Sequence, residues 1–264
     1  MTPYLQAVFH GQPIGTDLCA RIKVLGFGGI RADLQRTPAA RAKQVIAEAT
    51  AAGLAVLAIV DDGLQIYQLG ACEGVLAFEL RNEPDLELKG AEAYYMALAE
   101  HAAVAAAAVN RPLYVGGVSN IDAKPLRYLR RVLEAVAPWP EVRVSVHRYP
   151  HTLRASDARP GYRSREAEVD AFRWLIGTRQ WAVTEFGYHT APWSDGWWLW
   201  KRTYQRNDLE VRDAVMWEWA FWQRMGADLA VLYQLNDGPT GVALDRYGIR
   251  RTDGTWKPAA YTVA

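Results

Sequence analysis

Short apolar runs rich in β-forming residues alternate with helical stretches along most of this chain. Eight such runs occur, and an amphipathic, Ala-rich or Arg-rich segment separates most of them. The runs cover residues 4–9, 28–31, 54–60, 75–80, 113–115, 142–147, 181–186 and 229–235. Continuously apolar runs are typical of parallel strands that are buried on both faces. Eight strands alternating with helices predict either a closed (β/α)8 barrel or an open doubly wound sheet.

Motifs and length favour the barrel. No Gly-x-Gly-x-x-Gly or P-loop motif follows any of the runs, which is evidence against a dinucleotide- or phosphate-binding sheet. The chain has 264 residues with no dividing linker, and one barrel needs about 200–250 or more. We therefore predict an α/β protein with one (β/α)8 domain over residues 1–264. The third crossover leaves room only for a short helix, and residues 187–207 are predicted to form a long loop.

Composition limits the partners that the chain can have. Lys and Arg number 30 against 29 Asp and Glu, for a formal net charge of +1, so we expect neither nucleic acid nor an anionic membrane as a partner. No run approaches the ~18–20 apolar residues of a membrane span. Cys19 and Cys72 are expected to be buried free thiols. The first residues, MTPYLQAVFHG, lack the pattern of a secretory signal, so we expect an intracellular protein or a secreted chain without its signal.

Polar and ionisable residues follow the predicted strands. In a (β/α)8 barrel the C-terminal strand ends surround the active site. The residues at these ends are His10, Arg31, Asp33, Asp61, Asp62, Asn82, Glu83, Ser119, Asn120, His147, Tyr149, Glu185, Gln234, Asn236 and Asp237. This concentration of hydrogen-bonding groups at one rim is typical of an enzyme.

Two of these strand ends carry glutamates that the fold would place face to face. Glu83 follows the fourth strand, Glu185 ends the seventh, and 102 residues separate them, which is about three βα repeats. Glycosidic bond cleavage requires such a pair, with one protonated carboxyl and one ionised carboxylate. A separation of ~5–5.5 Å indicates a retaining enzyme and ~6.5–9.5 Å an inverting one.

The motifs around these glutamates resemble those of the clan A glycoside hydrolases, particularly families 5 and 39. The resemblance rests on Asn82-Glu83-Pro84 after the fourth strand and Thr184-Glu185-Phe186-Gly187 at the seventh. Further matches are Arg31, His147-Arg148-Tyr149 and the tail Asp253-Gly254-Thr255-Trp256-Lys257-Pro258. The matches are short, but they occur in order from the second strand to the C-terminal region.

The resemblance implies a role for each matched position. Glu83 would be the acid/base and Glu185 the nucleophile, while Asn82 would bind the sugar 2-hydroxyl. Tyr149 would orient the nucleophile or contact the sugar, and His147 and Arg31 would set the charge of the two carboxylates. Many clan members place a Trp at the end of strand eight beneath the reacting sugar. Here Tyr233 or Gln234 occupies that place, so we count Gln234 among the candidate substrate contacts.

Several residues have a simpler structural interpretation beside the functional one. Asn82 is also a plausible capping residue, and Glu185 could serve as an ion-pair partner of Arg31 while still being catalytic. Asp61 and Asp62 precede a glycine, so they are as consistent with a structural turn as with a functional role at the strand end. These alternatives stay open at the level of the sequence.

Histidines and tryptophans leave similar choices. His147 and His151 have the spacing of a helical metal pair, but Tyr149-Pro150 between them argues against a helix. His10 and His189 suit either sugar contact or packing. The predicted 187–207 loop is rich in tryptophans that could stack on sugar rings or pin the loop to the barrel, and these are Trp193, Trp197, Trp198 and Trp200.

The sequence as a whole predicts a retaining O-glycoside hydrolase that acts on a β-linked polysaccharide or oligosaccharide. Short βα loops favour an open groove and internal cleavage. We expect a monomer that requires no metal or organic cofactor. The alternatives are a non-hydrolytic carbohydrate-binding barrel and a different barrel enzyme such as a metal-dependent hydrolase, which would need three or four ligands converging on one point.

Overall fold

Eight parallel strands close into a barrel, as predicted. The computed structural model describes residues 1–88, 90–149, 157–159, 161–195, 202–239 and 246–263. The barrel order is β1-β10-β7-β6-β5-β4-β3-β2. Its strands are β1 (Thr2–Val8), β2 (Gly29–Asp33), β3 (Ala55–Val60), β4 (Val75–Leu80), β5 (Leu113–Val118), β6 (Arg143–His147), β7 (Trp181–Phe186) and β10 (Leu229–Leu232). The predicted 187–207 loop contains a small antiparallel pair, β8 (Trp193–Asp195) and β9 (Arg202–Tyr204).

Helices follow most of the barrel strands. Those in the described ranges are α1 (Thr16–Val24), α2 (Ala39–Ala51), α3 (Gly63–Leu69), α4 (Pro84–Glu87), α5 (Glu92–Ala108), α6 (Ala123–Ala135), α7 (Arg165–Ile176), α8 (Asp208–Met225) and a final 3-10 helix, Pro258–Tyr261. The predicted short third crossover is the seven-residue α3. The Asp62 side chain caps this helix by accepting a hydrogen bond from the Gln65 amide at 3.0 Å, which identifies the capping role of Asp62.

The barrel interior consists of an apolar layer and a polar layer. The apolar layer is the buried cluster Tyr4, Leu57, Ala77, Tyr114, Ala182, Leu229 and Val231. Gly29 makes room for the Tyr4 ring, because a Cβ at Gly29 would lie 2.3 Å from a carbon of that ring. Closer to the C-terminal strand ends lie buried polar side chains, Gln6, Arg31, Glu79 and Thr184. A second, larger apolar cluster packs the helices against the outside of the barrel.

A buried ion pair joins the end of β6 to α7. Arg148 Nε donates to Glu168 at 3.1 Å, and both side chains are fully buried. The Arg148 guanidinium also donates to the Asp157 carbonyl at 2.9 Å, while the Arg159 amide donates to Glu168 at 3.0 Å. These contacts hold Arg148, which directly precedes the predicted site residue Tyr149, against α7. In the described part of the chain, no helix has the length and apolar character needed to cross a membrane.

Candidate active site

The two predicted glutamates converge at the C-terminal mouth of the barrel. Glu185 lies in β7, and Glu83 comes three residues after the end of β4. One carboxylate oxygen of each lies within 4.8 Å of the other. The turn that carries Glu83 is in the left-handed region at both Arg81 (φ 61°) and Glu83 (φ 44°), a conformation that disfavours residues other than glycine. Strained backbone of this kind concentrates at functional sites.

Arg31 lies beneath the two carboxylates and forms hydrogen bonds with several polar side chains. Its side chain is 1% exposed, and it donates to Glu185 Oε1 at 2.5 Å and to Glu79 Oε2 at 2.6 Å. It also donates to the Gln6 and Asn82 amide oxygens, each at 2.8 Å. These contacts satisfy the guanidinium in a place where an unpaired charge would be very costly. Burial by itself disfavours the charged form, but the carboxylates of Glu79 and Glu185 outweigh it and raise the pKa of Arg31.

His147 lies between the two predicted catalytic carboxylates. It is the register partner of Glu185 on the neighbouring strand, and its Nδ1 lies 2.9 Å from Glu83 Oε1 and 3.5 Å from Glu185 Oε2. Burial lowers the pKa of His147, but the charge of Glu185 and the hydrogen bond to Glu83 outweigh both burial and the nearby Arg31 and raise it overall. The two glutamates therefore favour the protonated form of His147.

Glu185 is kept ionised by its surroundings. Burial raises the pKa of a carboxyl group, but His147, Arg31 and a hydrogen bond from Tyr149 reverse that effect, and the pKa of Glu185 is lowered. The Tyr149 hydroxyl donates to Glu185 Oε2 at 2.6 Å. Burial and the adjacent carboxylate raise the pKa of Tyr149 well above its usual value, so it stays a donor.

The two glutamates differ in exposure and in partners. The Glu185 side chain is 8% exposed and accepts hydrogen bonds from both Arg31 and Tyr149. Glu83 is 25% exposed, and the described residues provide it with His147 as its hydrogen-bond partner. A carboxylate with two strong donors is stabilised as an anion, whereas a more open carboxyl with a titratable partner can exchange protons.

Three buried polar residues that were not among the sequence-based candidates support the site from below. Glu79 lies inside β4 and is fully buried, and Thr184 donates to its second oxygen at 2.7 Å. Gln6 in β1 accepts from Arg31 and is 1% exposed. Glu79 is the one charged residue of β4 and Gln6 the one amide side chain of β1. A strongly polar residue inside an otherwise apolar strand is a signal that could have identified them.

A cavity of about 670 Å³ opens above the carboxylates. One wall is aromatic and consists of Phe9, Tyr149, Tyr233 and Tyr247, whose rings meet edge to face at centroid distances of 5.5–5.9 Å. The other wall is polar and consists of His10, Asp33, Gln35, Arg36, Asn82 and Glu87. Ligand sites commonly combine apolar surface with a few placed polar groups, in volumes of about 300–1,000 Å³.

The remaining candidate contacts have different locations. Asn82 lies in the cavity wall, and its amide oxygen accepts from Arg31. His10 is at the rim, with its side chain 84% exposed and its Nδ1 3.3 Å from Asp33. Gln234 is buried and is absent from the described cavity lining, where its neighbour Tyr233 appears instead. Neither the Trp193 side chain nor Trp197 belongs to the described part of the structure.

Other strand-end residues have structural partners. Asp61 forms an ion pair with Arg81, with Oδ1 and Nη1 3.1 Å apart. Asp237 accepts from Lys257 at 2.8 Å, and both side chains are buried. Lys257 belongs to the tail motif that contributed to the family resemblance, so this part of the motif joins the C-terminal segment to the end of β10. Cys19 and Cys72 are free thiols; Cys19 is buried and Cys72 partly exposed.

Three potential metal ligands converge here, although the sequence had not indicated an obvious set. In the described ranges, Glu83, His147 and Glu185 bring one donor atom each to within 4.8 Å of the others. His147 and Glu83 are already hydrogen-bonded to each other, and the Arg31 guanidinium lies 2.5 Å from Glu185. A fixed positive charge at that distance opposes a bound cation. The set therefore fits a metal poorly.

Neither a protein-family model nor a curated protein matches this sequence. Solved structures do match its fold. A family 39 glycoside hydrolase from the gut symbiont Bacteroides cellulosilyticus has a TM-score of 0.72 at 15% identity, over 99% of this chain and 63% of that protein. The cellulose synthase subunit Z from Clostridioides difficile has a TM-score of 0.66 at 13% identity, over 100% and 99%.

A third similar structure is the mannotriose complex of a Thermomonospora fusca β-mannanase, with a TM-score of 0.64 at 14% identity over 98% of this chain and 86% of the mannanase. The present chain thus spans less than two thirds of the family 39 protein and most of the other two. At these identities the matches establish the fold, and the expected likeness to glycoside hydrolase barrels is confirmed at that level.

Proposed function

We propose that this protein is a retaining O-glycoside hydrolase that cleaves β-linked polysaccharides or oligosaccharides. The observation that carries the proposal is the approach of Glu83 and Glu185 to within 4.8 Å, oxygen to oxygen, beneath an open cavity. An approach this close favours the ~5–5.5 Å separation of retaining enzymes over the ~6.5–9.5 Å that leaves room for a water molecule between the carboxyls.

In the proposed mechanism Glu185 is the nucleophile. Arg31, His147 and Tyr149 favour its ionised form, so its carboxylate can attack the anomeric carbon and form a glycosyl ester. Glu83 gives a proton to the departing oxygen as the glycosidic bond breaks. Glu83 then takes a proton from water, which attacks the same carbon and releases Glu185. The hydrogen bond between Glu83 and His147 gives Glu83 a proton-sharing partner through both steps.

The two walls of the cavity support a carbohydrate substrate. Pyranose rings have an apolar face that packs on aromatic side chains, while their hydroxyls hydrogen-bond to carboxylates and amides. Tyr233 and Tyr247 offer the first kind of surface, and Asp33, Gln35 and Asn82 offer the second. Three similar structures are those of a glycoside hydrolase, a mannanase and a cellulose synthase subunit, which agrees with this substrate class.

We further propose that cleavage is internal to a sugar chain. The loops from β2 to α2 and from β3 to α3 are short, since α2 begins six residues after β2 and α3 begins three residues after β3. Because these loops are short, they rise little above the strand ends. A sugar chain can therefore extend beyond the cavity on this side of the barrel mouth. The distribution of product lengths early in a digestion tests this point, since internal cleavage releases a range of oligosaccharides.

The central experiment compares the wild type with Glu83→Gln and Glu185→Gln on a panel of β-linked polysaccharides and aryl β-glycosides. Glu100→Gln, the same change at an exposed position on α5, is the matched control. We expect both site variants to lose activity by orders of magnitude and the control to retain it. The anomer released first, observed by NMR, should be β; an α product would indicate inversion and contradict the assigned roles.

A trapping experiment tests the nucleophile directly. A 2-deoxy-2-fluoro β-glycoside with a good leaving group should form a stable ester with the wild type, and peptide mass spectrometry should locate it on Glu185. Addition to a different residue would refute the assignment of the nucleophile. Oligosaccharide binding without turnover of any substrate would favour the non-hydrolytic alternative.

A further inference from the structure

Glu79 is a buried carboxylate that the proposed mechanism does not use. It belongs to β4, the strand that precedes Glu83, and its side chain is fully buried inside the barrel. Arg31 Nε donates to one of its oxygens at 2.6 Å, and the Thr184 hydroxyl donates to the other at 2.7 Å. A Cβ on Gly117 would lie 3.3 Å from that second oxygen, so a larger residue there would crowd the carboxylate.

The Arg31 guanidinium lies between two carboxylates. Its Nε donates to Glu79, and its Nη1 donates to Glu185 at 2.5 Å. Burial lowers the pKa of Arg31, but the charges of Glu79 and Glu185, in that order of size, raise it above its usual value. Because one carboxylate is enough to neutralise Arg31, the second adds a buried negative charge. Such a charge is costly unless another cation balances it.

The protonated form of His147 supplies this balance. Its Nδ1 lies 3.5 Å from Glu185 and 2.9 Å from Glu83. When Glu83 carries its proton as the acid, the cluster contains two cations and two anions, namely Arg31, His147, Glu79 and Glu185. Without the charge of Glu79, the same cluster would have one positive charge in excess. Two further ionisable side chains interact with the charge of Glu185, and both are neutral because burial raises their pKa, namely Tyr149 and Tyr233.

We propose that Glu79 is a positioning residue that takes up the charge of Arg31 and so leaves the charge of Glu185 available to the anomeric carbon. This inference rests on the proposed hydrolase function. The transition state of glycosidic cleavage resembles an oxocarbenium ion, whose positive charge an ionised carboxylate stabilises. Arg31 holds Glu185 in place, but on its own it would also cancel much of the negative charge that the reaction requires. Glu79 reduces that cancellation.

The variants Glu79→Gln and Glu79→Asp test the charge of Glu79. Glutamine keeps the shape and an acceptor oxygen but removes the charge, whereas aspartate keeps the charge one methylene further from Arg31. NMR titration of ¹³C-labelled glutamate carboxyls, with the Glu185 signal assigned from Glu185→Gln, should give the lowest pKa of Glu185 in Glu79→Gln and an intermediate pKa in Glu79→Asp. The reason is that loss of a nearby negative charge favours the ionised form. Glu218→Gln, at a similarly buried glutamate that pairs with Arg165, is the matched control and should leave this pKa unchanged.

The direction of the shift separates this role from a purely structural one. If Glu79 only kept Arg31 in place, its loss would let Arg31 move away from Glu185, and the pKa of Glu185 would rise. A raised or unchanged pKa in Glu79→Gln would therefore overturn the proposal. If Glu79→Gln does not fold, Glu79→Asp provides the direction. The titration needs no substrate, so its outcome is independent of the proposed hydrolase function.

Kinetics measures the consequence for catalysis. Glu79→Gln should lower kcat about 10- to 100-fold with little change in KM, because the charge acts on the transition state more than on the bound substrate. Glu79→Asp should lose less activity, and Glu218→Gln should retain the wild-type kcat. Wild-type kinetics in Glu79→Gln would overturn the role of Glu79 alone, whereas absence of turnover in the wild type would contradict the proposed hydrolase function.

Discussion

Two buried clusters in this protein contain the same three residue types and differ in what surrounds them. The inner cluster is Arg31, Glu185 and Tyr149, and the outer cluster is Arg165, Glu218 and Tyr188. In each, arginine pairs with glutamate and a tyrosine hydroxyl donates to that glutamate at 2.6 Å. Both arginines are 1% exposed.

The outer cluster is closed on itself. Arg165 uses two nitrogens to contact both oxygens of Glu218 at 3.0 Å, and its guanidinium lies 4.5–5.2 Å from the rings of Phe221, Trp222 and Trp217. Glu218 is 1% exposed and thus has no open side. In the inner cluster Arg31 divides its donors among four residues, and Glu185 faces a cavity and a second carboxylate.

The comparison teaches that a buried Arg–Glu pair is not by itself evidence of a catalytic site. Burial and ion pairing are common to both clusters and serve stability in the outer one. The inner cluster differs in its access to a ligand and in the adjacent Glu83–His147 pair, which can share a proton. Four predictions follow from this difference, the first with the largest expected effect.

Glu185→Gln and Glu218→Gln should separate activity from stability. We expect Glu185→Gln to lower kcat by at least about a thousandfold, since the proposed nucleophile is lost. Arg31 keeps Glu79 as a partner in that variant, so the fold should persist. Glu218→Gln should instead lower the free energy of unfolding by about 3–5 kcal/mol, because it removes the charge that neutralises buried Arg165.

Kinetics and chemical denaturation measure the two effects. The proposed difference between the two clusters would be contradicted if Glu218→Gln folded but were as inactive as Glu185→Gln. It would also be contradicted if Glu185→Gln lost more stability than Glu218→Gln.

Tyr149→Phe and Tyr188→Phe make the same deletion in each cluster. A hydrogen bond to a charged group contributes about 1.5–3 kcal/mol, so Tyr149→Phe should lower kcat/KM about 10- to 100-fold. It should also move the acidic limb of the pH profile to higher pH, because the hydrogen bond lowers the pKa of Glu185, which must be ionised in its proposed role as nucleophile. An unshifted limb would contradict this role.

Tyr188→Phe is the counterpart in the outer cluster. We expect it to lower the free energy of unfolding by about 1.5–3 kcal/mol through loss of the hydrogen bond to Glu218. The pH profile of kcat/KM should keep its wild-type shape, since Glu218 does not face the cavity. Denaturant titration and a pH series of initial rates measure these two quantities.

The smallest expected effect is a change in the pKa of His147. Its raised pKa depends on Glu185 and Glu83, so NMR titration should show a lower pKa in both Glu→Gln variants than in the wild type. The stability that the protonated ring contributes is complete below the unfolded pKa, ~6.5, and is lost as pH rises through the folded value. A wild-type His147 that titrates below ~6.5 would exclude this assignment.

The sequence was sufficient to predict the barrel and much of its mouth. The apolar runs predicted all eight strands, because strands buried on both faces have few polar residues. Glu83, Glu185, Arg31 and His147 were found because strand ends in this fold meet at one rim. The short third crossover was predicted from residue spacing alone and proved to be α3.

Other features depended on contacts that no local pattern encodes. The sequence left Glu185 with two possible roles, and the structure shows that it does pair with Arg31, which lies 154 residues away. Tyr247 lies well beyond the last strand, so its place in the cavity wall follows from the path of the C-terminal segment. Asp237 was an equally good strand-end candidate but is neutralised by Lys257.

The sequence by itself therefore determined the number of barrel strands, the fold and the identity of the charged groups at the strand ends. Only the tertiary structure decided which of those charges are paired internally and which face a cavity. The physical reason is that strand periodicity is a local property of the chain, whereas the state of a buried carboxylate depends on donors brought to it by barrel closure. Glu185 and Glu218 illustrate this, since each is a glutamate beside a buried arginine and only Glu185 has an open side.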